Sequence, residues 1–118
     1  MLMAKMKLVL GRYDLSRVVD GIFSAPVTLP EGRKIVKVIY YHGGTGSPYS
    51  SLRIMRAKEG DTPEKLGKIS STDATGKAIP VDVPITGDPI VRGAYRYYIL
   101  VTLNAFSFFE KVKIIYRE

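Results

Sequence analysis

The sequence of 118 residues has no cysteine, no tryptophan and no glutamine, a single histidine (His42) and a single asparagine (Asn104). Without cysteine there is no disulfide framework, no thiol nucleophile and no Cys-ligated zinc. With one histidine, a metal site would have to be built from carboxylates. The only cluster of these, Glu59, Asp61 and Glu64, lacks the spacing of a calcium-binding EF-hand loop. It reads as a solvated acidic loop, so no metal and no cofactor is expected. Depletion of Asn, Gln and Cys is a habit of proteins from hot environments, and a thermophilic source is the expectation. Long apolar runs are also missing. The longest stretch, Tyr97 to Leu103 and on to Phe109, is too short for a spanning helix and contains Asn104 and Ser107. At the N-terminal end, Lys5 and Lys7 interrupt the apolar residues and no small-residue cleavage site follows. Neither a membrane span nor an export signal is expected.

A length of 118 residues fits one domain. Such a chain buries roughly two thirds of its unfolded surface without any covalent staple. Its formal net charge is +7, which favours anionic partners. The charges are spread along the chain and form no block.

Alternation with period two runs through the whole sequence. Val36, Val38 and Tyr40 alternate with Ile35, Lys37, Ile39 and Tyr41. Ile79, Val81, Val83 and Ile85 alternate with Pro80, Asp82 and Pro84. Tyr95, Tyr97, Ile99, Val101 and Leu103 share a parity, as do Glu110, Val112, Ile114 and Tyr116. β-branched and aromatic residues fill these runs, as half-buried pleated strands favour. Gly, Pro, Asp and Asn clusters separate them at short intervals. The reading is an all-β protein: a single antiparallel β-sandwich of about eight strands, near 4–10, 21–29, 33–42, 50–57, 65–71, 79–85, 94–103 and 107–117. Eight antiparallel strands in two sheets make it jelly-roll-like. Residues 1–20 form a basic N-terminal strand or arm, and 21–118 the sandwich domain. Only 59–68 has room for a helical turn, with Thr62 as its cap and Pro63 first inside it. Pro80 and Pro84 share a parity, so their missing N–H groups fall on one side, which makes 79–85 an edge strand.

The segment from Ala94 to Glu118 holds seven of the twelve aromatic residues and no Gly or Pro. It reads as a long hairpin turning between Asn104 and Ser107 and supplying much of the core. At its start, in "RGAYRYY", Arg92 and Arg96 interleave with Tyr95, Tyr97 and Tyr98. Alternation sends Tyr95 and Tyr97 to one side, and Arg96 and Tyr98 to the other. Cations beside aromatics on a sheet can stack bases, and an exposed tyrosine can stack on a sugar ring. Core or subunit contact is the favoured role.

The stretch "VIYYHGGTGSPYS" resembles the strand and His-Gly-Gly turn of an α/β-hydrolase oxyanion loop. That chemistry also needs a serine on a G-x-S-x-G elbow and a second histidine. Both are missing, and so is any helical periodicity. No Gly-Lys-Ser/Thr follows, which excludes a P-loop. The stretch reads as a Gly-rich hairpin turn after a strand.

Phe23, Ala25 to Val27, Leu29 to Gly32, Tyr40-Tyr41, Leu52 to Arg56, Tyr97-Tyr98 and Val112 to Tyr116 form a recognisable series. Across residues 22–117 it resembles jelly-roll-like β-sandwich modules that recur in surface appendages, tail-fibre regions and virion structural proteins. The resemblance implies a non-enzymatic module that oligomerises, and it brings no catalytic residues.

The expected function is therefore a structural or interaction module, an oligomer-forming component of a virion or surface assembly. Its partners would be copies of itself, a trimer first, or neighbouring structural proteins. Candidate contact residues are Tyr49, Arg96, Tyr98, Phe108 and Phe109, read as exposed aromatics and a cation. Lys5, Lys7, Arg12 and Arg17 are candidates for an anionic partner. A carbohydrate-binding module is the first alternative. A nucleic-acid-binding protein using its basic surface is the second and is not favoured. A virion or extracellular assembly is the expected location, with the cytoplasm open because no export signal is read.

Overall fold

The alternating runs form eight strands in a computed structural model that describes the backbone of residues 4–10 and residues 21–117 in full. They are β1 (Ala4–Leu10), β2 (Gly21–Val27), β3 (Lys34–Gly44), β4 (Ser50–Ala57), β5 (Glu64–Ser71), β6 (Ile79–Val83), β7 (Arg96–Leu103) and β8 (Ser107–Arg117). No helix occurs among the described residues. After Thr62 and Pro63 the chain enters β5 directly, where a helical turn had room to form. Every pairing is antiparallel. One sheet has the order β1-β8-β3-β6 and the other β2-β7-β4-β5. This corrects the expected hairpin of 94–118: the chain crosses between the sheets at Asn104–Ser107, so β7 pairs with β2 and β4 while β8 pairs with β1 and β3.

Alternate residues of both sheets meet in one core. Val38, Tyr40, Val112 and Ile114 come from the first sheet. Leu52, Ile54, Ile99 and Val101 come from the second, and each is essentially inaccessible to solvent. Two antiparallel sheets joined through a shared apolar layer give a sandwich-like fold. Each fully buried aliphatic side chain contributes about 1.5–3 kcal/mol.

β6 is the end strand of the first sheet, as Pro80 within it favours. Pro80 stands opposite Tyr41. Past Val83 the chain leaves β3, and Ile85 forms an isolated bridge with Gly67 of β5. The segment after β6 thus ties the two sheets together along one side. A side chain at position 67 would collide with the Pro84 carbonyl oxygen, so this crossing needs glycine.

Three irregularities redirect side chains. Ile35 pairs with Tyr116 and Lys37 with Ile115, which leaves Val36 extra in β3, so Ile35 and not Val36 joins Val38 and Tyr40 in the core, a correction to the expected alternation. Tyr41 pairs with Lys111 but His42 pairs with Phe109, which leaves Glu110 as an extra residue in β8. Ile54 pairs with Gly67 and Met55 with Lys65, which leaves Leu66 extra in β5. Each β-bulge resets the alternation. As a result Phe109 points to the same side as Val112, and it is only 8% exposed in the core. This corrects the expectation that Phe109 is an exposed contact residue. The Gly-rich turn begins two residues past the expected strand end at residue 42, because β3 continues through Gly44 beside Ser107 and Phe108. A Cβ at Gly43 would strike the Lys77 carbonyl and the Phe108 ring, so close packing accounts for this glycine.

Candidate interaction surface

Register and alternation fix the outward face of the sheet β2-β7-β4-β5 row by row. Ile22, Thr102, Ser51 and Ser70 form one row. Ser24, Leu100, Arg53 and Lys68 form the next, and Pro26, Tyr98, Met55 and Lys65 the third. Beyond them Arg96 stands opposite Ala57. Apolar side chains occupy the middle of the face and four cations (Arg53, Lys65, Lys68 and Arg96) its β4, β5 and β7 portions. No Asp or Glu stands in these rows. Among the described residues none of the four cations has a carboxylate partner.

The other outward face is different. There Lys37 pairs with Asp82 at 3.6 Å and Lys111 with Glu110 at 3.8 Å. The ammonium groups of Lys111 and Lys113 lie 4.7 and 5.1 Å from the centre of the Tyr41 ring. Its charges are partly compensated where those of the β2-β7-β4-β5 face are not.

Tyr49 joins the uncompensated face from the end preceding β4. Hydrogen bonding to the Ser70 and Ser51 hydroxyls lowers its pKa, and the positive charges of Lys68 and Arg53 act in the same direction. Its ring is 40% exposed beside Ile22, which is 74% exposed. Gly21, Ile22, Tyr49, Thr102, Leu103 and Asn104 line an apolar hollow of about 400 Å³. Phe106, in the turn after β7, is 49% exposed at this end of the molecule. That turn is held firmly. Asn104 Nδ2 donates to the Ser47 carbonyl at 2.8 Å, and Ser107 Oγ donates to the Tyr49 carbonyl at 2.9 Å.

Three sequence candidates, Tyr49, Arg96 and Tyr98, therefore share one surface. Tyr97 points inward and Tyr98 outward, as alternation requires. Phe108 is half-buried against Gly43 and lies on the other sheet. The backbones of Lys5 and Lys7 lie in β1 opposite Tyr116 and Ile114. Their side chains, and Arg12 and Arg17 entirely, lie outside the described residues. Sequence reading did not single out Arg53, Lys65, Lys68, Ser51 or Ser70. Their own strands show them to be outward-facing, but only the β4–β5 register brings them together.

Two polar clusters lie inside. The first comprises Tyr40, His42 and Ser50. Tyr40 Oη is hydrogen-bonded to Ser50 Oγ, and the Tyr40 ring stacks on His42 with centroids 4.6 Å apart. Burial pushes the Tyr40 hydroxyl up to about 12. Burial also lowers the pKa of His42, against a smaller opposing effect of Asp73. His42 Nε2 has no hydrogen-bond partner. His42 and Ser50 are each 1% exposed, enclosed in the core and not presented at the surface as an oxyanion loop is.

The second cluster anchors the connection from β6 to β7. Arg56, buried beneath Tyr95 with its guanidinium 4.1 Å from the ring centre, reaches Glu64 at 2.8 Å and Asp88 at 3.2 Å. Asp88 also accepts from Arg92 Nε at 2.5 Å and from the Ile90 amide at 3.1 Å. The Arg92 hydrogen bond is the main reason its pKa falls to about 2. Tyr97 Oη closes the loop, accepting from the Arg92 amide and donating to the Ile90 carbonyl. These groups satisfy one another, which marks the cluster as a structural clasp.

The described residues hold no group of three or more His, Cys, Asp or Glu placed to bind a metal. They hold no helix long and apolar enough to cross a membrane. No protein-family model matches this sequence, and no curated protein does.

Proposed function

We propose that this protein is a non-enzymatic jelly-roll module that assembles with copies of itself as a component of a virion or surface structure. The fold part of this reading rests on the nested pairing of the strands. β1 pairs with β8, β2 with β7, β3 with β6 and β4 with β5. A long antiparallel hairpin rolled up on itself pairs its strands in this order, and that rolling distinguishes a jelly roll from other sandwiches. Jelly rolls serve as capsid, lectin and cupin domains, so the role has to be argued from a surface.

The observation that carries the role is the exposed apolar pair Ile22 and Tyr49 at the hollow, with Phe106 exposed in the nearby turn after β7. Apolar and aromatic side chains clustered at a surface are what a protein contact uses for its buried centre. A second copy seated there would cover Ile22 and Tyr49, with the surrounding cations left at the rim.

Solution mass by light scattering, at low and at high salt, tests this. An oligomer, with a trimer expected first, should persist at high salt because its contact is apolar. Ile22→Glu should shift the mass towards the monomer while leaving the far-UV spectrum unchanged. A monomer at both salts across micromolar to millimolar concentrations overturns the assembly reading.

A further inference from the structure

We infer that the outer face of β4 and β5 carries a binding site for a phosphate group, built from Arg53, Lys68, Ser51, Ser70 and Tyr49. Ser51 stands opposite Ser70, and Arg53 opposite Lys68, in consecutive rows of the same face. Residues directly opposite in an antiparallel pair have Cβ atoms about 5 Å apart, and the next row on the face is about 7 Å along the strand. Two cations and two hydroxyls thus surround one spot of sheet, and Tyr49 reaches it from the adjoining chain. Tyr49 has the parity of Ser51 and adjoins its row from the chain that leads into β4, and hydrogen bonding to both serines lowers its pKa.

The energetic argument starts from Arg53 and Lys68. Like charges placed directly across a strand pair repel and destabilise it. Neither has a carboxylate partner among the described residues, although the chain carries eleven acidic residues and uses them against Arg56, Arg92 and Lys37. An anion bridging the two would turn this repulsion into attraction.

The donor set selects the kind of anion. A guanidinium fork gives two parallel N–H donors, an ammonium gives a point charge, and the Tyr49 hydroxyl, accepting from both serines, keeps its own proton to donate. This doubly charged set calls for more negative charge than a single carboxylate supplies. It matches a tetrahedral phosphate, whose bonds to such donors are charge-assisted. Ser51 is 4% exposed, so one donor sits at the floor of the site, with Arg53 exposed at its rim. The strip of cations continues past Met55 to Lys65 and to Arg96. The phosphate can therefore come from a free phosphate ion or from the diester backbone of a nucleic acid, and the chemistry at Arg53 and Lys68 is shared.

The test compares the full chain with Arg53→Gln/Lys68→Gln and with Lys111→Gln/Lys113→Gln, which removes the same charge from the opposite face. Thermal unfolding is followed in sodium phosphate and in sodium chloride of matched ionic strength. Phosphate stabilises many proteins by exclusion from their surface, so the readout is the difference between variants. A ligand bound only by the native state raises Tm. The wild type and the Lys111/Lys113 variant should gain a few degrees more in phosphate than the Arg53/Lys68 variant gains. In chloride alone, the Arg53/Lys68 variant should be at least as stable as wild type, because a repulsion has been removed. That second result separates a ligand site from a structural role. Fluorescence anisotropy with a labelled oligothymidylate then identifies the source. Binding lost in the Arg53/Lys68 variant and weakened by salt assigns the site to a diester backbone. A phosphate-specific gain in Tm without oligonucleotide binding assigns it to the free ion. Equal gains in phosphate for all three proteins, with no loss of oligonucleotide binding in the Arg53/Lys68 variant, overturn the inference.

Discussion

His42 is the residue whose chemistry responds most directly to pH. It is buried with its ring stacked on Tyr40, which in turn meets Phe109, and Asp73 is the carboxylate that acts on it. Burial holds its folded pKa below the usual 6.5. Above that value the histidine is neutral in both states and its contribution to stability is complete. As the pH falls through about 6.5 the unfolded chain takes up a proton that the folded chain refuses, and stability drops until the lowered folded pKa is reached. Urea midpoints measured from pH 7.5 to 5 should therefore decline for the wild type. They should stay nearly flat over the same range for His42→Phe, which keeps the ring stacking and removes the titration. An equal decline in the variant would assign the effect to other groups. Asp88 adds a separate contribution at the acid extreme. Its folded pKa, near 2, lies below its unfolded value, so the stability it brings is present above about pH 4 and disappears as the pH falls towards 2.

At the level of strands, the crossing after β6 is the tightest joint between the sheets. Gly67 faces the Pro84 carbonyl there and Ile85 bridges to it. Gly67→Ala should cost about 1–3 kcal/mol, the usual penalty of overpacking. It would appear as a lower urea midpoint, and as faster amide exchange at Thr86 and Gly87, which both bond to the Leu66 carbonyl. An unchanged midpoint would mean that the crossing yields without loss. The strands themselves were legible in the sequence. Alternation of apolar residues located all eight, and the paired prolines identified the edge strand. Most of the pairing was not legible: apart from β4 and β5, paired strands are separated by at least two others along the chain, and nothing local encodes their meeting. For this reason Phe109 was misread: the bulge at Glu110 is a property of β8 against β3, and neither strand reveals it alone. The grouping of Arg53 with Lys68 was invisible because the bulge at Leu66 sets their register across β4 and β5, whereas the Arg96–Tyr98 half of that surface lies within one strand and was found.

For the molecule as a whole, the formal charge of +7 sets the response to salt. A chain with this excess repels itself when compact. Sodium chloride from about 0.02 to 0.2 M, where the screening length falls from roughly 20 to 7 Å, should raise the thermal midpoint of the wild type. The rise should be smaller for Arg53→Gln/Lys68→Gln, which removes two of the uncompensated charges. A midpoint that falls with salt would place net attraction, and not repulsion, in control of the folded state.

The nested pairing also governs the order of events when the chain acquires its structure. β8 lies between β1 and β3, and β7 between β2 and β4. The first strands made during synthesis must therefore wait, unpaired, for the last ones to emerge. Loop closure on that scale has to precede the contacts that reward it, so refolding should fall in the millisecond-to-second range of long-range β topologies. Until β8 arrives, the apolar sides of the earlier strands stay uncovered. Growth temperature and chaperone supply would then govern the yield of native protein more strongly than the stability of the finished fold.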